Sequence, residues 1–324
     1  MALNTATTYT QMINDNFTKW GSVFNYEAVI YNANMDYDGY INQIQVYADQ
    51  KFDALLVGMD IALLPRIYEL TQELKIPVVG MPTAFTDEAG HITWPSVQQD
   101  DNGNSTMAMQ WLADNYKNYW KEPLNPSELG LITITFSPVS GINDRIPGFE
   151  TTFKKLYPDA AKNYFLCDLV QNANGFSNQA ASEMTAATIS AHTEIKKWFI
   201  CTAVDDWAVG AERAVESLTR NADTLIVSCQ ADAFINEAAS GPADTSYVSG
   251  CAISTTELTG LCAANLVAIL EGRATAETIW PEYVAKGDKY PCVYVKGTMI
   301  TKDTYKDWVE KNTFEYVAKD MKKG

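Results

Sequence analysis

The chain has 324 residues, 47% hydrophobic and 20% charged, which is enough for two compact domains with cores of their own. Its net charge of −16 sets 40 acidic against 24 basic side chains, a field that repels nucleic acid and anionic lipid, so no nucleic-acid partner is expected. No stretch approaches the roughly 18 uninterrupted apolar residues of a spanning helix, and no basic segment with an apolar core stands at the start.

Met-Ala-Leu-Asn reads as beginning inside a strand, which implies that a leading segment has been trimmed. Residues 9–24 then set Tyr9, Met12, Ile13, Phe17, Trp20 and Phe24 at three- and four-residue steps, one apolar stripe on a helix. YEAVIYNA (26–33) reads as a strand, and Asp36 or Asp38 can cap a helix that turns Ile41, Ile44 and Tyr47 inward. A strand over 52–58, a helix over 62–74 and a strand over 76–81 complete a half-sheet. Residues 85–105 read as a polar excursion with DEAG as a turn.

A helix over about 105–120 opens a second series. Its strands are expected at 129–136, 163–169, 197–203 and 223–229, with helices near 146–157, 178–191, 207–220 and 231–239. Pro147 falls in a first helical turn, where its missing N–H does no harm. YVSGCAIS (247–254), a helix over 257–271, the strand or strand pair PCVYVKGTMI (291–300) and terminal helices over 301–320 follow. Apolar runs without strict alternation suit strands covered on both faces, and strands alternating with helices imply βαβ units and a parallel sheet. Ligands of such sheets sit beyond the carboxyl ends of the strands, so the residues that end each run are the candidates for function.

The six cysteines show no CxxC or CxxH spacing, which argues for structural thiols rather than a metal cluster. Two histidines far apart in sequence, His91 and His192, give little basis for histidine-dependent catalysis. No GxGxxG, P-loop or GxSxG pattern stands at a strand–helix junction, and neither a cofactor nor a metal is expected.

Four segments carry a resemblance in order and spacing: VQQDDNGNST (97–106), NDRIPGFETTF (143–153), TEIKKWFICTAVDDWAVGAERAVESL (193–218) and MITKDTYKDWVEKN (299–312). Together with two α/β halves of similar design, they resemble the periplasmic sugar-binding proteins of ABC transporters, and within these the L-arabinose-binding branch of the type I fold. The resemblance implies an α/β architecture of two similar lobes, each a mainly parallel sheet flanked by helices, joined by a three-segment hinge. It places 1–105 plus 252–287 in an N-terminal lobe and 106–251 plus 288–324 in a C-terminal lobe. It further implies an extracytoplasmic, monomeric, non-enzymatic protein that captures a monosaccharide or related polyol between its lobes and delivers it to an ABC permease. Thiols without disulfides would then suit an anaerobic source.

Sugar hydroxyls donate and accept together, so planar Asp, Asn and Arg groups grip them while aromatic rings face the C–H surfaces. Carried over by position, Arg145 is the arginine that reaches the ring oxygen; the alternative is a surface salt bridge or a helix-start arginine. Asp205 matches the Asp of an Asn-Asp pair whose Asn is replaced by Val204, so Asp205 or Asp206 either binds sugar or caps the helix behind it. Gln230 replaces the Asp or Asn that ends the next strand, and Asp100 and Asp101 fall at the first crossover as hydroxyl-binding or hinge-holding groups. Tyr9 matches an aromatic wall, with a core role as its rival, and Phe176 is a candidate for the opposite wall. Pro82-Thr83 stands where relatives often have Asp-Arg or Asp-Asp, and Asn4 where the arabinose proteins have lysine, so L-arabinose itself is in doubt. The rival classes are a sugar-processing enzyme and the effector domain of a lac-repressor-type regulator. The regulator would require a helix-turn-helix and a basic DNA face, which this sequence lacks. A sensory partner of a chemoreceptor or kinase would share the same pocket.

Overall fold

Strands whose side chains are apolar on both faces must be covered on both, and this chain builds two such sheets. The computed structural model describes residues 8–33, 36–58, 64–82, 85–87, 89–241 and 245–321. Through the first stretch run α1 (Thr8–Phe24), α2 (Tyr37–Asp49), β1 (Leu55–Val57), α3 (Leu64–Leu74), β2 (Val78–Gly80) and β3 (Ser96–Gln99). Then come α4 (Asp101–Asn115), β4 (Leu129–Thr135), α5 (Ser140–Asn143), α6 (Ile146–Leu156), β5 (Tyr164–Asp168), α7 (Asn178–Ala191), β6 (Lys197–Thr202), α8 (Asp205–Ser217), β7 (Thr224–Cys229), α9 (Asp232–Ser240) and β8 (Tyr247–Ala252). The chain ends with α10 (Thr255–Leu270), β9 (Cys292–Val295), β10 (Thr298–Ile300), α11 (Tyr305–Lys311) and α12 (Phe314–Met321).

Two compact units result. The first comprises the chain through Gln99, Ser254–Val295 and the segment from Val309; the second comprises Asp100–Ile253 and Lys296–Trp308. The first unit's sheet has the order β1-β2-β3-β9, all parallel. The second unit's sheet has the order β10-β8-β7-β6-β4-β5, parallel except for β10, which runs antiparallel to β8.

These boundaries depart from the sequence expectation, which assigned 288–324 to the second lobe and ended the first segment at residue 105. PCVYVKGTMI holds two strands with different partners: β9 pairs with β3, whereas β10 pairs with β8. Lys296-Gly297 is thus a passage between units. The last helix also belongs to the first unit, where Phe314 meets Trp20 edge-on at 4.9 Å between ring centroids. At the other end Asp100 already caps α4, whose first turns were expected to be loop. The run 26–33 carries a single bridge residue at Asn32 and is otherwise without strand structure. The strand expected at residues 1–4 and the residues Asn4 and Thr83 lie outside the described residues.

The second unit's core fills both faces of its sheet. On one face Trp120 stacks on Phe199 at 5.3 Å under α4 and α6; on the other Trp198 and Phe165 lie toward the α7 end. Tyr40, Ile44, Val57, Ile67 and Phe85 fill the first unit's main cluster. All six cysteines are free and buried, and burial pushes their thiols up, that of Cys251 to about 12, as suits small apolar fillers.

Candidate functional site

In the second sheet the parallel strands β4, β6 and β7 each end in a short turn that starts a helix, and β5 ends in the loop that leads to α7, so helix N-termini and polar turn residues collect along one edge. Val204, the residue before α8, is extended and has no side chain able to cap. Asp205, the first residue of α8, caps instead. Its Oδ1 accepts the Asp206 N–H at 3.1 Å and its Oδ2 accepts the Ala233 N–H in the first turn of α9 at 2.6 Å. Burial first, and the nearby Asp232 second, push the Asp205 carboxyl up to about 7. Asp232 opens α9, and burial followed by Asp206 raises it as well. Two helix N-termini therefore share an acidic pair, Asp205 buried and Asp232 half-buried, with the exposed Asp206 beside it.

Arg145 is not a surface residue; it stands at the N-cap position of α6, but its side chain makes no capping bond. It is 6% exposed, its Nε donates to Asp101 Oδ1 at 2.7 Å, and its Nη1 donates to the carbonyl of Ala203 just past β6. This pair brings the α4 N-terminus to the carboxyl edge of the sheet. Burial raises the Asp101 carboxyl and Arg145 opposes the rise. Asp100 accepts the Gly103 N–H at 3.0 Å and so caps α4. In the same first turns of α4, Asn104 is 2% exposed; its Oδ1 accepts the Gly297 N–H at 2.8 Å, while its Nδ2 has no partner.

Phe176 is 52% exposed although it belongs to an aromatic trio. Its ring stands edge-on to Phe136, which follows β4, at 5.3 Å, and to Trp207, in the first turn of α8, at 5.0 Å. Gln230 follows β7 in the left-handed region at φ +74, and its carbonyl accepts the Ser228 hydroxyl at 2.7 Å. A left-handed backbone on a residue other than glycine or asparagine is strained, and such strain collects at functional positions. In the first unit the Gln99 amide, which ends β3, donates to the Tyr9 hydroxyl, and the Gln99 N–H donates to the Pro82 carbonyl at 3.4 Å. Tyr9 is half-buried on α1.

The second unit thus assembles Asp100, Asp101, Arg145, Phe176, Asp205, Asp206 and Gln230 on one sheet edge. Tyr9 stands in the other unit with Gln99. The structure adds Phe136, Trp207, Asp232 and Asn104. The first three are each found by asking which residue follows a strand or opens its helix; Asn104 carries no such signal, since its burial depends on the distant Gly297.

No protein-family model matches this chain, and no curated protein matches its sequence. Solved structures do. The periplasmic binding protein of the arabinose ABC transporter from Shewanella sp. ANA-3, bound to α- and β-L-arabinofuranose, matches with a TM-score of 0.71 at 16% identity, over 98% of this chain and 95% of that one. An ABC transporter solute-binding protein from Actinobacillus succinogenes 130z with bound D-allose gives 0.71 at 14% identity, over 94% and 97%. The glucose-galactose binding protein of Geobacillus stearothermophilus gives 0.66 at 16% identity, over 94% and 98%. Two mostly parallel α/β sheets flanked by helices are the fold of type I periplasmic binding proteins, and this chain has that fold.

Proposed function

We propose that this protein is an extracytoplasmic solute-binding protein that captures a monosaccharide or related polyol and passes it, unaltered, to the permease of an ABC transporter, acting as a monomer. One observation carries the reading. At the carboxyl edge of the second sheet a half-exposed ring, Phe176, is braced by Phe136 and Trp207 in the same row of strand ends as the Arg145–Asp101 pair and the acidic turn at Asp205-Asp206. A flat apolar wall next to acceptor-rich planar groups suits a ring that has C–H faces and hydroxyl edges. The carboxylates favour a neutral ligand over an anionic one. Nothing in the arrangement aims a nucleophile and a base at one bond, so binding without turnover is the chemistry it supports.

A thermal-shift screen over L-arabinose, D-arabinose, D-allose, D-glucose, D-galactose, a pentitol and D-glucuronate tests this. At least one neutral member should raise the melting temperature and be recovered unchanged, D-glucuronate should shift it least, and Phe176→Ala should abolish the shift. Absence of any shift, or conversion of the sugar, would refute the proposal.

A further inference from the structure

Phe176 lies on the loop between β5 and α7, and polar side chains tie that loop down. After β5, Asp168 accepts the Ser137 N–H at 3.1 Å and the Val170 N–H at 3.3 Å, fixing the loop's entry. Asn172 Oδ1 accepts the Asn174 N–H at 2.8 Å, Gly175 turns through φ +53, and Ser177 caps α7 by accepting the Ala180 N–H at 3.1 Å. Apart from the Ser137 bond, which reaches back to the turn after β4, these bonds are local. The side-chain bonds that join the loop to the body of α7 all end on one residue, Glu183. Its carboxylate accepts from Asn172 Nδ2 at 3.0 Å, from Asn174 Nδ2 at 3.1 and 3.2 Å, and from Gln179 Nε2 at 2.9 Å.

We propose that Glu183 is a positioning residue for the ligand: its carboxylate clamps the 172–176 turn to α7 and holds the Phe176 ring at the sheet edge before any sugar arrives. The inference rests on the functional reading above for its ligand, but not for its mechanics. A surface carboxylate ordinarily satisfies itself with water. Here, in a protein with an excess of acids, it gathers three side-chain amides from two elements, and each ordered amide costs rotamer entropy. The amides donate charge-assisted hydrogen bonds, Asn172 first and Gln179 next, and these hold the carboxyl below its ordinary range. Without the clamp, the left-handed Gly175, where even an added Cβ would meet nothing, becomes a pivot for Phe176, whose ring then rests on its edge-on contacts with Phe136 and Trp207. Ordering a wall in advance lowers the entropic cost of binding, which is how a residue that never touches sugar sets affinity.

The test compares the full-length wild type with Glu183→Ala, Phe176→Leu and the double variant. Hydrogen–deuterium exchange without sugar should show the Asn174 and Gly175 amides exchanging faster in Glu183→Ala, with the melting temperature unchanged. Calorimetric titration with L-arabinose, D-allose and D-galactose should show about tenfold weaker binding in Glu183→Ala, the worth of one charge-assisted hydrogen bond, and no further loss when Glu183→Ala is added to Phe176→Leu. Unchanged exchange, unchanged affinity, or an equal loss in the Phe176→Leu background would each overturn the proposal. If the wild type bound none of these sugars, the functional reading would fall instead. Exchange alone would then decide the clamp, faster exchange upholding it and unchanged exchange ending it.

Discussion

Asp101 and Arg145 meet at 2.7 Å inside a protein that carries sixteen more acidic than basic side chains, and the pair is mostly shielded from water. Shielding makes removal of either partner costly, because the other is left as an uncompensated buried charge. Arg145→Met should lower unfolding free energy by about 3 kcal/mol at pH 7, with much of the loss recovered in the Arg145→Met/Asp101→Asn double variant. Denaturant titration measures both, and an additive double variant would show that the pair is not coupled. Asp205 makes a second prediction, for the protein without sugar. Its folded carboxyl is raised to about 7 from 3.8, so folding favours the protonated form. The stabilisation is complete below about pH 4 and is lost as pH rises through about 7. Asp205→Asn mimics the protonated acid, since one oxygen can still accept the Ala233 N–H. The variant should therefore melt higher than wild type at pH 8 and level with it near pH 4; equal melting temperatures at pH 8 would contradict the buried-acid account.

Helix packing is where single glycines decide the outcome. A Cβ on Gly148 of α6 would lie 2.6 Å from the Asn102 carbonyl oxygen and 2.8 Å from the Thr106 nitrogen, both backbone atoms of α4. One on Gly210 of α8 would lie 2.3 Å from the Asn178 carbonyl at the start of α7. Backbone cannot swing aside as a side chain can, so Gly148→Ala and Gly210→Ala should each destabilise by about 1–3 kcal/mol, read as a fall in melting temperature. Most elements could be read from sequence because period and caps agreed: Asp36 caps as its chemistry suggests, and Pro147 sits in a first turn. Two strand readings failed for opposite reasons. YEAVIYNA has β-propensity, but Val29 and Ile30 stay exposed, so no burial rewards extension into a strand. SVQQ looks like loop, yet β3 is wholly buried and its amides find partners in Cys292 and Tyr9. Pairing across long sequence separations decided both, and a local window does not contain it. The site was legible in the same measure. Arg145, Asp205 and Phe176 came from strand ends and resemblance; Phe136, Trp207 and Asp232 stand where a strand-end rule would look, but what they touch depends on which turns the fold sets side by side.

At the scale of the whole molecule the acidic excess and the local shifts act in one direction. Burial raises the carboxyls of Asp101, Asp144, Asp205, Glu212, Asp232 and Glu257. Three others, Glu183, Glu194 and Glu277, are lowered, and all three sit near the surface, where solvent weakens what they contribute. A raised carboxyl binds its proton more tightly folded than unfolded, so stability contributed by these groups falls as pH climbs through their folded values. The net charge of −16 adds general self-repulsion in the folded state, which also grows with pH and which salt screens. The melting temperature of the protein should therefore be higher near pH 5–6 than at pH 8, opposite in slope to a protein stabilised by paired, low-pKa carboxylates. Salt separates the two causes. Raising sodium chloride to about 0.5 M should recover the self-repulsion part at pH 8, because exposed charges are screened beyond a few ångströms. It should leave the part owed to buried groups such as Asp205, which stand out of reach of counterions. A stability profile that rises toward pH 8, or one that salt flattens completely, would show that the buried acids carry no net penalty.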